Sequence, residues 1–538
     1  FGTANRVLMA FGEEPRQTVA RAAQLPQTLV PPTLVKLWSH RDLLKTLSKV
    51  GMRRVSSGPV RKVKQNPPVL STLPALKTWE QDGGPFITLP LVYTEHPEGH
   101  GSNLGMYRIQ IYDDATTGIH WQIGKGGGFH YQVAEKKNQA LPVNIIVGGP
   151  PALILGAIAP LPENVPELLL ASLLAGKRLP LADNPAGPLP LVSEAEFVLV
   201  GEVPPNERRL EGPFGDHYGY YSLEHEYPVF HCHTMYHRED AIFPATVVGK
   251  PRQEDFFIGD FLQELLSPIF PVVMPAVEDL WSYGETGYHS LSAAVVKSRY
   301  KRESMASAFR ILGEGQLSLT KFLLVMDKPQ DLKNFKSVLT HVLERADFRT
   351  DLYIFGNLSM DTLDYSGTTV NEGSKGVLLG VGDPIRDLPH AYEGDLPVGI
   401  NEVAVFCPGC LVISGPTVAD DPHAGSRVVQ HPGFREWPMI VLVDRAEEAA
   451  RSSARFLWTT FTRFEPAADI HSAEARVIKN HVAYETPVLI DARLKPHFPE
   501  ELFCDPETAK TVSERWKEYF PSGQVAMGES DTADLDRL

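Results

Sequence analysis

The pattern of secondary structure in this chain changes near residue 313. Between about 104 and 300, apolar runs of strand length, rich in β-branched and aromatic residues, lie between turn residues. The strands predicted there are 106–112, 143–147, 197–203, 229–236 and 245–248, with one helix at 166–175. From about 313 onward, short buried strands alternate with helices, which is typical of an α/β layer arrangement.

The C-terminal part is predicted to contain strands at 320–326, 352–355, 403–406 and 439–443, and helices at 331–346 and 446–460. We see no internal repeat in the sequence. A length of 538 residues favours about three domains. We place them at 1–103, an N-terminal α/β domain, at 104–312, a β-rich domain, and at 313–538, a C-terminal α/β domain with a mobile acidic tail.

Composition excludes several classes of protein. A formal net charge of −15 argues against general binding to nucleic acid or to an anionic membrane, since both need a positive field. Four cysteines do not make a disulfide framework and favour a reducing compartment. The longest uncharged stretch, 138–162, is interrupted by Pro150-Pro151, which predicts a buried strand, a turn and a short apolar segment. We therefore expect a soluble cytoplasmic protein without membrane insertion.

Two carboxylates, Glu211 and Asp216, stand at the ends of a Gly-Pro-Phe-Gly stretch. This stretch cannot be ordinary helix, because Pro213 lacks an N–H and glycine favours turns. A rigid turn that holds two acids near a guanidinium, for which Arg108 is the candidate, gives the acids different pKa values. Taken alone, the pair is equally typical of a solvated turn.

Two upstream segments could contact a ligand. Gly105 allows close approach of the backbone, and Arg108 offers a planar fork for a carboxylate or phosphate, although a surface arginine on a strand explains the hexapeptide as well. The glycines 126–128 beside Lys125 could cradle a phosphate or form a flexible hairpin, and the two interpretations are evenly matched.

Glu167 opens a predicted helix, where a carboxylate is favoured electrostatically as a capping residue. The functional alternative is an oxygen ligand for a hard divalent cation, joined by Asn103 and His120. A separate motif, Cys407-Pro-Gly-Cys410, has the spacing of redox and metal sites. It follows an apolar strand late in the chain, so a turn with two incidental thiols is the favoured interpretation.

In linear order these segments resemble the UbiD family of prenylated-flavin-dependent decarboxylases. The matching segments are 103–108, 120–122 with 125–126, Pro166-Glu167, 211–216, 237–243 and 249–251, and the segments 360–365 and 371–376 are similar to its longer bacterial branch, which includes members assigned to menaquinone biosynthesis. The resemblance implies a central split β-barrel, flavin-reductase-like, over 104–312. It also implies oligomerisation through the C-terminal domain, as a homodimer or hexamer.

The resemblance implies cofactors as well: prenylated FMN, Mn²⁺ or Mg²⁺, and K⁺. The metal ligands by position are Asn103, His120 and Glu167. The cofactor-contacting positions are Met106, Tyr107, Arg108, His120, Trp121, Gln122, Lys125 and Gly126. A flavin prenyltransferase would supply the cofactor.

The catalytic residues implied by the resemblance are Arg108, Glu211 and Asp216, with Asp216 as the proton donor and Glu211 as its partner. Arg108 would lower the pKa of one acid, and burial would raise that of the other. The expected reaction is reversible, non-oxidative decarboxylation of an aromatic or α,β-unsaturated acid with release of CO₂. Two alternatives stay open: an oxidoreductase that uses ordinary FMN, and a non-catalytic subunit of a larger carboxylase assembly.

Overall fold

A computed structural model describes residues 2–121, 126–161, 165–250 and 253–525. The chain forms two compact units. The first unit runs to Leu266 and includes the C-terminal segment from Glu500, and the second unit is Ser267–Pro499. The predicted mobile tail, 528–538, lies outside the described residues.

The first unit contains nine helices among its described residues. They are α1 (Ala4–Phe11), α2 (Glu14–Leu29), α3 (Leu34–Ser39), α4 (Arg41–Leu47), α5 (Gly126–Lys136), α6 (Ala152–Ile158), α7 (Glu167–Ala175), α8 (Glu254–Leu266) and, after the second unit, α17 (Pro506–Tyr519). Its strands are β1 (Met52–Val55), β2 (Val63–Gln65), β3 (Phe86–Ile87), β4 (Pro90–Glu95), β5 (Ser102–Met106), β6 (Ile109–Ile111), β7 (Thr116–Ile119), β8 (Leu141–Val147), β9 (Leu179–Ala182), β10 (Leu191–Val192), β11 (Phe197–Val203), β12 (Arg208–Glu211) and β13 (His225–His237).

A curled ten-stranded sheet forms a half-barrel at the centre of the first unit. Its strand order is β3-β6-β7-β13-β11-β8-β4-β5, and β2 and β12 pair with β13. The strands β8 and β11 are apolar on both faces because each face packs on its own core. Val143 and Ile145 belong to one core, whereas Ile146 and Val198 belong to the other. A smaller sheet, β1-β9-β10, covers the second of these cores.

The structure divides the strand predicted at 106–112. Strand β5 ends at Met106 and β6 begins at Ile109, so Tyr107 and Arg108 lie between two strands of the same sheet. The segment 245–248, also predicted as a strand, has no regular secondary structure. The predicted helix at 166–175 is confirmed as α7, and Gly176 ends it with a φ of 62°.

The second unit contains two five-stranded sheets. Its strands are β14 (Val277–Ser282), β15 (Leu291–Val296), β16 (Phe322–Met326), β17 (Leu352–Ser359), β18 (Glu372–Gly380), β19 (Glu402–Cys407), β20 (Cys410–Ser414), β21 (Met439–Val443), β22 (Ile470–Ile478) and β23 (His481–Asp491). Its helices are α9 (Phe270–Val273), α10 (Glu303–Leu312), α11 (Phe335–Arg345), α12 (Phe348–Asp351), α13 (Ala424–Val428), α14 (Ala446–Ala450), α15 (Ser453–Arg463) and α16 (Pro466–Asp469).

The two sheets repeat one topology, so the expectation of a chain without an internal repeat is wrong at the level of structure. The orders are β14-β15-β16-β18-β17 and β19-β20-β21-β23-β22, with matching parallel and antiparallel pairs. One core that includes residues of α11 and α15 joins the two sheets. The contacts between repeats are reciprocal: the backbone N–H of Ala467 donates to Ser374 Oγ at 2.9 Å, and His481 Nε2 lies 3.1 Å from the carbonyl oxygen of Arg349.

The observed units differ from the predicted boundaries because strand pairing crosses them. Strands β14 and β15 precede residue 312 but pair with β16, so the second unit begins at Ser267. Strand β4 precedes residue 103 but pairs with β5 and β8 of the half-barrel. The N-terminal segment thus contributes to the central sheet.

One helical stretch in the described part of the chain, Glu254–Val273, is long and apolar enough to cross a membrane, with a mean hydropathy of 1.4. Length and composition alone are weak evidence for a span. The absence of membrane insertion stays a prediction.

Candidate active site

The turn after β12 is fixed by side chains from neighbouring elements. Gly212 adopts a φ of 102°, a conformation that favours glycine, and its N–H donates to Gln110 Oε1 at 2.8 Å. The N–H of Gly215 donates to Asp82 Oδ1, also at 2.8 Å. A Cβ at Gly215 would lie 2.0 Å from the ring of Trp79. The sequence between the two acids is therefore a packed turn and not a solvated loop.

Arg108 joins the two acids through direct ion pairs. Its Nε and Nη2 donate to the two oxygens of Glu211 at 2.7 and 2.9 Å, the bidentate geometry that suits a guanidinium. Its Nη1 donates to Asp216 Oδ2 at 2.8 Å, and Nη2 also donates to Ser222 Oγ at 3.0 Å. All three charged side chains are buried, and that of Glu211 is fully buried. The structure thus brings the three predicted catalytic residues into one network.

His120 extends this network on the far side of Glu211. Its Nδ1 lies 3.0 Å from Glu211 Oε2, and its Nε2 lies 3.3 Å from the hydroxyl of Tyr227. Both ring nitrogens are engaged, so the imidazole has no nitrogen left for a metal ion in this arrangement. Its pKa is lowered by burial and by the charge of Arg108, which favours the neutral ring. This position differs from the metal-ligand role predicted for His120.

The electrostatics of the two acids differ from the sequence expectation. Burial raises the pKa of Glu211, but the charge of Arg108 and hydrogen bonds from His120 and Arg108 outweigh it and hold the pKa at about 2. The pKa of Asp216 is also lowered, because His217 and Arg108 together outweigh its burial. The prediction that one of these acids has a raised pKa is therefore wrong, since one guanidinium contacts both carboxylates.

A third acid behind the turn has the raised pKa. Asp255, in the first turn of α8, is partly buried, and the loss of solvent raises its pKa to about 6 although the charge of His217 opposes this shift. His217 Nδ1 contacts Asp216 Oδ1, and the His217 side chain is 28% exposed. Asp255, His217, Asp216 and Arg108 thus form a series of coupled titratable groups that ends in the catalytic network.

A group of closely packed residues lies at the start of α5. The N–H of Gly127 donates to the hydroxyl of Tyr107 at 3.3 Å, and burial raises the pKa of this tyrosine to about 12. A Cβ at Gly126 would lie 2.2 Å from Asn103 Oδ1, and one at Gly127 would lie 2.9 Å from Trp121 Nε1. The glycines are therefore required for this close packing, and the predicted hairpin is a helix start.

Two buried donors in this group have no hydrogen-bond partner among the described residues: Asn103 Nδ2 and Trp121 Nε1. Buried donors normally find acceptors, so their orientation is consistent with a polar ligand such as a flavin. Met106 packs against the core beside α7. Gln122 and Lys125, also predicted to contact the cofactor, lie outside the described residues.

Glu167 meets part of the requirement for a hard cation. Its Oε2 accepts from the N–H of Leu104 at 2.9 Å, next to Asn103 in β5. Burial raises its pKa, and among the described residues no cationic side chain contributes to offsetting this shift. An amide oxygen and a carboxylate are ligands that Mn²⁺ and Mg²⁺ accept, so this pair fits a divalent metal.

A separate cluster also has metal-ligand geometry. The ligand atoms of His96, Glu98 and His100 all lie within 4.8 Å of one another on the β4–β5 hairpin. Glu98 and His100 are exposed, and Glu98 forms an ion pair with Lys137 at 2.7 Å. This surface group was not predicted, and any metal-binding measurement must separate it from Glu167.

Sequence reasoning missed four residues of the network: Ser222, His217, Tyr227 and Asp255. Only His217 had a local signal, because it directly follows Asp216. The others come from elements that fold onto the turn, and nothing in their spacing predicts the contact. Ser222, for example, accepts from the N–H of Phe214 at 3.1 Å across the returning chain.

Family models match two parts of the chain. Residues 53–251 match the 3-octaprenyl-4-hydroxybenzoate carboxy-lyase Rift-related domain, and residues 256–380 match the C-terminal domain of the same family, UbiD. The first match contains Arg108, Glu211 and Asp216.

Curated relatives cover almost the whole chain. A Chlamydia pneumoniae protein, named as a subunit of a 4-hydroxybenzoate decarboxylase, is 51% identical over 525 residues, 98% of this chain and 89% of the relative. An uncharacterised Archaeoglobus fulgidus protein is 33% identical over 74% of this chain and 82% of its own length.

Solved structures support the fold. Vanillic acid decarboxylase of Sedimentibacter hydroxybenzoicus, in its closed form, has a TM-score of 0.59 at 24% identity, covering 66% of this chain and 78% of its own. An evolved dimeric form of the UbiD-class enzyme HmfF from Pelotomaculum thermopropionicum, in complex with prFMN, has a TM-score of 0.57 at 19% identity, covering 73% and 83%.

Proposed function

The chain belongs to the UbiD family of carboxy-lyases, and from this premise we propose that it is a reversible decarboxylase of an aromatic acid that depends on prenylated FMN. The observation that carries the proposal is the buried Glu211–Arg108–Asp216 network. A guanidinium held by two carboxylates has a fixed orientation, so it can bind and orient an anionic substrate group.

Prenylated FMN, when bound, supplies the electron sink that lets a carboxyl group leave an aromatic carbon. Tyr107, Trp121 and the start of α5 at Gly126 would hold it, since the orphaned Trp121 Nε1 and the close glycine packing fit a polar ring system. The N–H groups at the start of a helix favour a phosphate. We further propose that the half-barrel is of the flavin-reductase-like split type.

Asn103 and Glu167 would hold a divalent metal, Mn²⁺ or Mg²⁺, because no cationic side chain of the described residues offsets the desolvation of the Glu167 carboxylate. The metal would offset the partial burial of this charge and the charge of a cofactor phosphate, with K⁺ as a second cation. His120 is left out of this ligand set, because both its ring nitrogens face the catalytic network.

Asp216 would deliver the proton to the carbon that loses CO₂. Its lowered pKa means that the carboxylate is ionised at neutral pH, so a proton must reach it during turnover. His217 contacts Asp216 directly and interacts with Asp255 through its charge, and its partly exposed ring offers a route from solvent. Glu211 would stay ionised and hold Arg108 in place.

A monocyclic hydroxybenzoate is the substrate class that we propose, since the relative at 51% identity is named for 4-hydroxybenzoate decarboxylation. Because that relative is named as one subunit among others, we also propose association with further chains, in addition to the homo-oligomer expected from the sequence. A flavin prenyltransferase would supply the cofactor. A cytoplasmic location agrees with the four cysteines in 538 residues.

Co-expression with a flavin prenyltransferase tests the proposal. The purified protein is expected to carry prenylated FMN, identified by absorbance and mass, and to release CO₂ from members of a panel of aromatic acids. Activity with ordinary FMN alone would instead indicate the oxidoreductase alternative. A chain that binds neither flavin nor Mn²⁺ would indicate a non-catalytic subunit.

A further inference from the structure

The Cys407-Pro-Gly-Cys410 motif closes the hairpin between β19 and β20 in the second unit. Its Gly409 has a φ of 79°, the conformation of the third residue of a type II turn, and Pro408 occupies the second position. Cys407 and Cys410 are direct partners in the antiparallel ladder, and both side chains belong to the same core. Ladder partners have Cα atoms about 4.5–5.5 Å apart. This spacing suits a disulfide.

A cavity opens beside one of the two thiols. It has a volume of about 580 Å³, and Cys407, Lys336, Thr340 and His341 are among the residues that line it. Cys410 is fully buried beneath and does not line the cavity. A reagent that enters the cavity therefore meets Cys407 first.

The two thiols have opposite electrostatic environments. Hydrogen bonds from Cys410 and Thr340, together with the charge of Lys336, lower the pKa of Cys407 although burial opposes this. Burial raises the pKa of Cys410. A more acidic thiol at an opening with a less acidic thiol behind it is the arrangement of an attacking and a resolving cysteine.

We propose that Cys407 and Cys410 form a thiol–disulfide exchange site that accepts small disulfides through the cavity of the second unit. The Cys407 thiolate attacks one sulfur of a disulfide, a mixed disulfide forms, and one thiolate leaves. Cys410 then loses its proton and attacks the Cys407 sulfur, which releases the second thiolate. The two cysteines are oxidised by two electrons, and the small disulfide is reduced to two thiols. This activity is independent of the proposed decarboxylation.

Glutathione redox buffers test the proposal on the full chain. The reduced protein is equilibrated at a series of glutathione to glutathione disulfide ratios, quenched in acid, and differentially alkylated before and after reduction. Peptide mass spectrometry is expected to show a disulfide between Cys407 and Cys410. Two cysteines serve as internal controls: Cys232, buried and with a pKa raised to about 12, is expected to stay reduced, and the exposed Cys504 reports that the oxidant is active. If Cys407 and Cys410 stay reduced at every ratio that modifies Cys504, the proposal is overturned.

Single substitutions distinguish the two roles. In Cys410→Ser, one glutathione is expected to remain trapped on Cys407, whereas Cys407→Ser should leave Cys410 unmodified. Equal trapping on both cysteines would contradict the assigned order.

The lysine at the cavity gives a further readout. Lys336→Gln is expected to slow alkylation of Cys407 at neutral pH by about threefold or more, because less of the thiol is ionised. Lys333→Gln, three residues away and over the ring of Trp281, is the matched control and should leave the rate unchanged. Equal rates in both variants and the wild type would refute a role for Lys336.

Discussion

Replacement of Glu211 by glutamine keeps the shape of the side chain and removes its charge. The pKa of Glu211 is lowered from 4.5 to about 2, and each pKa unit corresponds to about 1.4 kcal/mol. The ionised carboxylate therefore contributes about 3 kcal/mol to folding. Because the folded-state pKa is the lower one, this contribution is complete above pH 4.5 and is lost as the pH falls through about 2.

We expect Glu211→Gln to lower the midpoint of thermal unfolding at pH 7 by about 6 °C, at roughly 2 °C per kcal/mol for a unit of this size. The difference from the wild type should shrink as the pH is lowered from 4.5. Turnover should fall by about a thousandfold or more, while the protein still binds flavin, because Glu211 lies behind Arg108 and not in the cofactor group.

The matched control is Glu207→Gln, four residues upstream. Glu207 accepts from His231 Nε2 at 2.9 Å, but its side chain is 43% exposed, so we expect a change below about 1 kcal/mol and normal turnover. Equal midpoints for the two variants across the pH range would refute the electrostatic reasoning. Full activity of Glu211→Gln with bound cofactor would refute its place in the network.

Three further substitutions test other parts of the site. Asp255→Asn should stabilise the protein at pH 7.5 by up to about 3 kcal/mol, since a raised pKa makes the ionised form costly as the pH rises through 6, and the gain should disappear below pH 4 in thermal unfolding. Gly126→Ala should weaken flavin binding at least about tenfold in fluorescence titrations, because its Cβ would displace Asn103. Glu167→Gln should lower Mn²⁺ affinity at least about tenfold by calorimetry, measured in a His100→Ala background that removes the exposed cluster.

The sequence contains most of the local structure of the first unit. The apolar run at 197–203 is confirmed as β11 with the predicted bounds, and in the second unit the run at 439–443 is confirmed as β21. The predicted strand at 106–112 fails at Arg108, where the chain leaves one strand and enters another so that the guanidinium reaches Glu211. Periodicity reports which residues are apolar, and it does not register a polar residue that interrupts a strand for a contact far away in sequence.

Long-range pairing accounts for what could not be predicted. The repeated topology of the second unit leaves no visible repeat in the sequence, because a shared strand order requires only apolar strands and helices in the same succession. The acid with a raised pKa is Asp255 and not Asp216, because packing of α8 desolvates Asp255 while the ion pair keeps Asp216 charged. Neither outcome follows from spacing along the chain.

Decarboxylation in D₂O by the protein loaded with prenylated FMN and Mn²⁺ tests the central claim most directly. We expect the wild type to convert 4-hydroxybenzoate, or another acid of the panel, to CO₂ and a product with one deuteron at the vacated carbon. Asp216→Asn should retain the flavin and lose this conversion, since it removes the proton donor. A flavin-loaded wild type that releases no CO₂ from any aromatic acid, or an Asp216→Asn variant that is as active as the wild type, would contradict the account.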